Sequence, residues 1–89
     1  MARTLLIGTG SEVALNAGTT LDNATVVRVI NLSGDVATVS IAKSSTGGFI
    51  GTATVTVQKD GVEFFEKGAN DQISASSSGV KGFKVGFTG

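Results

Sequence analysis

The chain has 89 residues, with seven basic and seven acidic side chains and hence no net charge. That length holds one small domain over 1–89, and the missing basic surplus argues against a protein that grips nucleic-acid phosphates. His, Cys, Pro, Trp and Tyr are all absent, which removes disulfides, thiolate nucleophiles, zinc–sulfur sites and His-based general bases.

What remains is strand-forming material. Nine Ser, eleven Thr and 13 Gly stand beside eleven Val and five Ile, a mixture suited to short strands and tight turns. No run approaches 18 apolar residues, so no membrane-spanning helix is expected. The opening segment up to Gly8 carries one basic residue and only Leu5, Leu6 and Ile7 as an apolar run, too short for the core of a signal peptide.

Period-two alternation broken by turn residues runs along the chain. Thr4 to Ile7 predicts a first strand, ended by Gly8-Thr9-Gly10. Ser11 to Asn16 predicts a second, although Glu12 to Leu15 could equally form one helical turn. After a polar link, Ala24 to Asn31 predicts a strand, and Leu32-Ser33-Gly34-Asp35 carries turn chemistry for a hairpin into a strand over Val36 to Ala42. Lys43 to Gly48 reads as a loop. Ile50 to Gln58 alternates most cleanly, with Thr52, Thr54 and Thr56 on one face against Ala53, Val55 and Val57 on the other; the Thr face should meet solvent or a partner. Lys59-Asp60-Gly61 contains the Asp-Gly step of tight hairpins, with a return strand over Val62 to Lys67. Asp71 to Ser76 and Lys81 to Thr88 complete the set.

Seven to eight short strands and no long helix predict an all-β domain, an immunoglobulin-like antiparallel β-sandwich, with a small barrel as the alternative. The expected core is Val27, Val29, Val39, Ile41, Val55, Val57, Ile73, Phe83, Val85 and Phe87. Catalytic, cofactor and metal sites are not expected. Gly8-Thr9-Gly10-Ser11 lacks the lysine and following helix of a phosphate loop. Asp22, Asp35, Asp60 and Asp71 are scattered through turns and links, which suits turn formation better than metal binding. The Asn23-Ala24-Thr25 and Asn31-Leu32-Ser33 tripeptides fit the glycosylation pattern by chance in a Ser/Thr-rich chain.

Four segments carry a likeness to a known group: Ala-Thr-Val-Val-Arg-Val-Ile-Asn (24 to 31), Ala-Thr-Val-Ser-Ile-Ala (37 to 42), Phe-Phe-Glu-Lys-Gly-Ala-Asn-Asp-Gln-Ile-Ser-Ala-Ser (64 to 76) and Val-Gly-Phe-Thr (85 to 88). Taken together, over residues 3 to 88, they resemble small virion structural proteins of tailed bacteriophages, particularly those infecting marine cyanobacteria. The resemblance implies a non-enzymatic accessory protein of the particle, localised to the virion after assembly in the host cytoplasm. Its expected partners are the major capsid protein or other virion proteins, in a homo-oligomer or symmetric array, with no nucleic acid, membrane or cofactor. A capsid decoration (cement) protein is the leading expectation; a tail, neck or baseplate module is the second. A host-adhesion or carbohydrate-binding domain is the third, and it would lack the Trp and Tyr on which sugars usually stack.

Candidate contact residues follow from the strand pattern. Leu5 and Ile7 lie on an apolar N-terminal strand able to dock on a neighbour's sheet edge. Phe64 and Phe65 must point to opposite faces. Phe64 shares its face with Val62 and is expected in the core, whereas Phe65 lies between Glu63 and Lys67 and is expected as an exposed anchor, helped by Phe49.

Overall fold

The computed structural model describes the backbone of residues 3–45 and 48–88 and the side chains of 3–43 and 51–87. The described residues form eight strands and no helix: β1 (Arg3–Leu6), β2 (Val13–Ala14), β3 (Val26–Asn31), β4 (Ala37–Ser45), β5 (Gly48–Val57), β6 (Val62–Glu66), β7 (Gln72–Ala75) and β8 (Val80–Thr88). A five-stranded sheet takes the order β1-β8-β3-β6, with β2 also on β8, and a three-stranded sheet takes the order β5-β4-β7. Every pairing is antiparallel. The all-β sandwich expected from the alternation is therefore present.

The turn signals behave differently from expectation. Leu32 to Asp35 and Lys59 to Gly61 do not close hairpins, because each joins strands of opposite sheets: β3 to β4, and β5 to β6. Among the described strands, only β4 and β5 are consecutive and paired. That hairpin also extends through the expected 43–48 loop, with Ser44 opposite Phe49, Ser45 opposite Gly48 and a bulge between Lys43 and Ser44. Backbone hydrogen bonding asks little of side chains, so a Ser- and Gly-rich segment can still pair.

The core lies between the sheets. Val27 and Val29 of β3 face Val39 and Ile41 of β4, Val57 of β5 and Ile73 of β7, with Leu15, Leu21 and Val80 closing the ends. Four of the ten expected core residues fall elsewhere. Val55 is 46% exposed on an edge strand and Phe87 is 51% exposed, while Phe83 is half-buried outside the core. Val85 is buried, but not in this core. The three differences in β8 have one cause. The register sets Gly82 beside Val29 and Val80 beside Asn31, so the glycine face of β8 turns inward and the Phe face turns out. A Cβ on Gly82 would stand 3.1 Å from the side chains of Leu15 and Leu21. The inter-strand segment fills the space that β8 leaves empty.

One corner ties the sheets together. Asn31, fully buried at the end of β3, donates from Nδ2 to the carbonyls of Asp35 (2.8 Å), Val57 (3.1 Å) and Gln58 (3.3 Å). Its Oδ1 accepts from the Ser33 amide and hydroxyl, and its backbone pairs with Gly61 and Asp60. The 32–35 turn rests on Gly79, where a Cβ would come within 2.5 Å of the Ser33 backbone. With its side chain sealed in, Asn31 offers no group for glycosylation in the folded chain.

At the opposite end, Leu21, Asp22 and Asn23 all take left-handed backbone angles (φ 53°, 57° and 57°). Thr19 and Thr20 hydroxyls accept from the Leu21 and Asn23 amides, and the Lys84 ammonium donates to the Asp22 carbonyl. Nearby, burial holds the Lys67 ammonium below its ordinary pKa, against the attraction of Asp71 and with a smaller push from Lys84.

Two stability outcomes follow. Asn31→Asp removes the donor from three carbonyls and places a carboxylate against them; a loss of about 3 kcal/mol is expected, read as a fall of roughly 12–24 °C in Tm for a domain of this size. Asp22→Gly keeps the carbonyl that Lys84 uses and relieves a left-handed residue, so thermal melting should show a gain of roughly 0.5 kcal/mol.

Candidate interaction surface

An antiparallel sheet with one face on the core normally offers water a polar face. The five-stranded sheet does not. Strand register places Leu6, Val85, Val26 and Glu66 in one row, Phe83, Arg28 and Phe64 in the next, and Lys81, Ile30 and Val62 beyond, with Phe87 opposite Thr4 at the near end. All of these side chains point away from the core, because their neighbours Val27, Val29 and Gly82 point into it.

The result is a second apolar cluster on the outside of the sandwich. The Phe64 and Phe87 rings meet across β3 with centroids 5.4 Å apart and planes inclined at 59°, the tilted geometry that aromatic quadrupoles favour. Val85 is only 2% exposed although it faces outward, surrounded in the register by Leu6, Val26, Phe83 and Phe87. The rim is open: Leu6 is 67% exposed and Phe64 is 42% exposed.

Beside this cluster runs a groove of about 700 Å³, lined by Thr4, Leu6, Gly10, Ser11, Glu12, Arg28 and Phe83. Arg28 Nη1 and Glu12 Oε2 form an ion pair across it at 3.0 Å, each side chain about one-third exposed. Solvent screening at that exposure makes the pair a small contribution to stability. It pins the 8–13 segment over the sheet and neutralises the charge in the middle of the apolar face. Among the described residues, no group of three or more Asp or Glu gathers into a cation-binding arrangement.

The expected contact residues are distributed as follows. Leu5 and Ile7 are both about half exposed at the β1 edge, with Leu6 between them on the outer face. Their side chains lie on the other face of the sheet, Leu5 opposite Gly86 and Ile7 3.0 Å from where a Cβ on Gly86 would stand, so neither joins the apolar cluster. The side chain of Phe49 lies outside the described residues. Phe65 and Phe64 exchange the places expected of them: Phe65, opposite Val27, packs half-buried against the core, and Phe64 is the exposed ring. Charge on the flanking residues misled the expectation. Glu63 and Lys67 share the inner face of β6, an edge strand, so Glu63 reaches solvent around the rim, while Lys67 is largely buried and donates to the Gly68 carbonyl. The exposure that recommended Phe65 as an anchor belongs to Phe64.

The paired rings give a direct test. Phe65→Ser should lower stability by about 2 kcal/mol, and Phe64→Ser by about 1 kcal/mol or less, since the latter loses one ring pair and a partly exposed surface. Chemical denaturation of both variants reads the difference. Comparison with known proteins finds no matching family model, no matching curated protein and no matching solved structure.

Proposed function

We propose that this chain is a non-enzymatic structural protein of a phage virion, a capsid decoration (cement) protein that bridges neighbouring major capsid subunits. The observation that carries the reading is the apolar outer face of the five-stranded sheet, with Leu6, Val62, Phe64 and Phe87 all at least 40% exposed. Contiguous exposed apolar surface on a small domain is characteristic of interaction sites. The resemblance of residues 3 to 88 to virion proteins supplies the setting, and the immunoglobulin-like character of the sandwich belongs to the same proposal.

Size favours an assembled array over a solitary complex. Four strands about 4.8 Å apart and some six residues long give a face of roughly 300–400 Å². A stable isolated interface needs about 800 Å² per partner. Contacts of half that size become effective when symmetry repeats them on one particle. The neutral chain also adds no long-range repulsion as copies accumulate.

The test is loading onto purified particles. Phe64→Ser, nearly as stable as the parent, should lose most particle occupancy, and deletion of residues 2–7, which removes Leu5, Leu6 and Ile7, should weaken it further. Full occupancy by both variants would overturn the reading. Copy number decides the location: hundreds per particle fit a shell protein, whereas a dozen or fewer, with immuno-gold at the tail, would transfer it to a tail, neck or baseplate module.

A further inference from the structure

A different surface lies on the three-stranded sheet, at the outer edge of β5. The orientation of its backbone follows from the neighbouring strands. Thr38 donates its amide to the Ser76 hydroxyl and accepts from the Ser76 amide, so the Thr38 backbone turns toward β7. Alternation along β4 then turns Ala37, Val39 and Ile41 toward their register partners Val57, Val55 and Ala53. On β5 the intervening residues, Thr52, Thr54 and Thr56, therefore direct their N–H and C=O groups away from the sheet.

The other edge of this sheet is closed. Thr19 exchanges two backbone hydrogen bonds with Ile73, and the Ala75 amide donates to Leu15, so the 15–19 segment covers β7. Among the described residues nothing bonds the outward groups of Thr52, Thr54 and Thr56. Proteins usually protect such an edge with Lys, Pro or an inward-pointing charge. From Gly48 to Val57 there is none. Instead Val55, whose side chain points inward, is 46% exposed, and Ala53 beside it is exposed as well.

We propose that the β5 edge pairs with the β5 edge of a second copy of this chain, making one continuous six-stranded sheet across a two-fold axis. Self-complementarity selects this occupant. With the axis at Thr54, antiparallel pairing sets Thr54 opposite Thr54, Thr52 opposite Thr56 and Ala53 opposite Val55. Hydroxyl then meets hydroxyl on one face, apolar meets apolar on the other, and no charge stands opposite its like. The same chemistry already operates inside the sheet, where the Ser40 and Thr54 hydroxyls are hydrogen-bonded at 2.9 Å. About six backbone hydrogen bonds form between the copies, two for each Thr–Thr pair, and the half-open side of the core is covered by the partner's Val55 and Ala53. This contact is separate from the outer face of the five-stranded sheet and leaves that face free.

The test is the mass of the purified chain across a concentration series by sedimentation velocity. Wild type should rise from 8.9 kDa to twice that value. Val55→Lys installs the missing inward charge at a half-exposed position and should remain at the monomer mass with an unchanged β spectrum. Should that variant fold poorly, Thr54→Cys gives an independent reading. The chain has no other cysteine, and paired Cα atoms about 5.5 Å apart fall within disulfide range. Mild oxidation should convert it to a covalent dimer at least tenfold faster than Thr9→Cys on an exposed loop. A wild-type monomer at every concentration overturns the inference. So does a dimer that survives Val55→Lys but is lost in Phe64→Ser, or a Thr54→Cys chain that cross-links no faster than the control.

Discussion

The packing of the two sheets depends on one buried amide. Asn31 ends β3 in one sheet, and its Nδ2 donates to carbonyls at the end of β5 in the other, as well as to Asp35 before β4. Removing this donor would take a hydrogen bond from each of these carbonyls, leaving Asp35 only the Ser33 hydroxyl and Gln58 only the Gly61 amide, and it would untie the two sheets at this corner. The geometry also sets direction: the chain leaves β3, crosses to the second sheet, and returns through residues 58–61 beneath the same amide. A hydrophobic residue of similar size could fill the volume, but it could not hold three carbonyls and the Ser33 amide and hydroxyl in one corner.

That corner also explains why familiar turn chemistry produces sheet crossings. Asp60, with φ 61°, takes the left-handed angle at the third position of a turn that the Gly61 amide closes on the Gln58 carbonyl. Yet the Asp60 amide donates to Asn31, and the Gly61 carbonyl accepts from it. The turn is spent on the far sheet instead of closing β5 onto β6. Local propensity supplies a bend, and the long-range partner decides what the bend connects.

The five-stranded sheet carries an apolar cluster on each of its faces, and this shapes the functional reading. Its inner face is supplied partly from outside the strands, by Leu15 and Leu21 seated on Gly82. The aromatic residues of β8 are thereby released to the outside, where Phe87 joins Phe64 and Val85 is sheltered. A sheet that can bury small residues inward and display rings outward provides a stable core and an adhesive surface with the same strands.

Period-two alternation by itself determined the strand-rich character, nearly every strand position, and six of the ten expected core residues, because alternation reports that a strand has two unlike faces. The Thr face of β5 was legible for the same reason. Alternation does not say which face is inward. In β8, Phe83, Val85 and Phe87 look like core, and only the Leu15–Leu21 segment packed onto Gly82 turns them out. In β6, Glu63 looks like a surface residue, and only its place on an edge strand lets Phe65 pack inward beside it. The outer apolar cluster was hidden twice over, since it rests on both choices. Tertiary structure decided them, because the inward face of a strand is fixed by what the rest of the chain can bring to fill it.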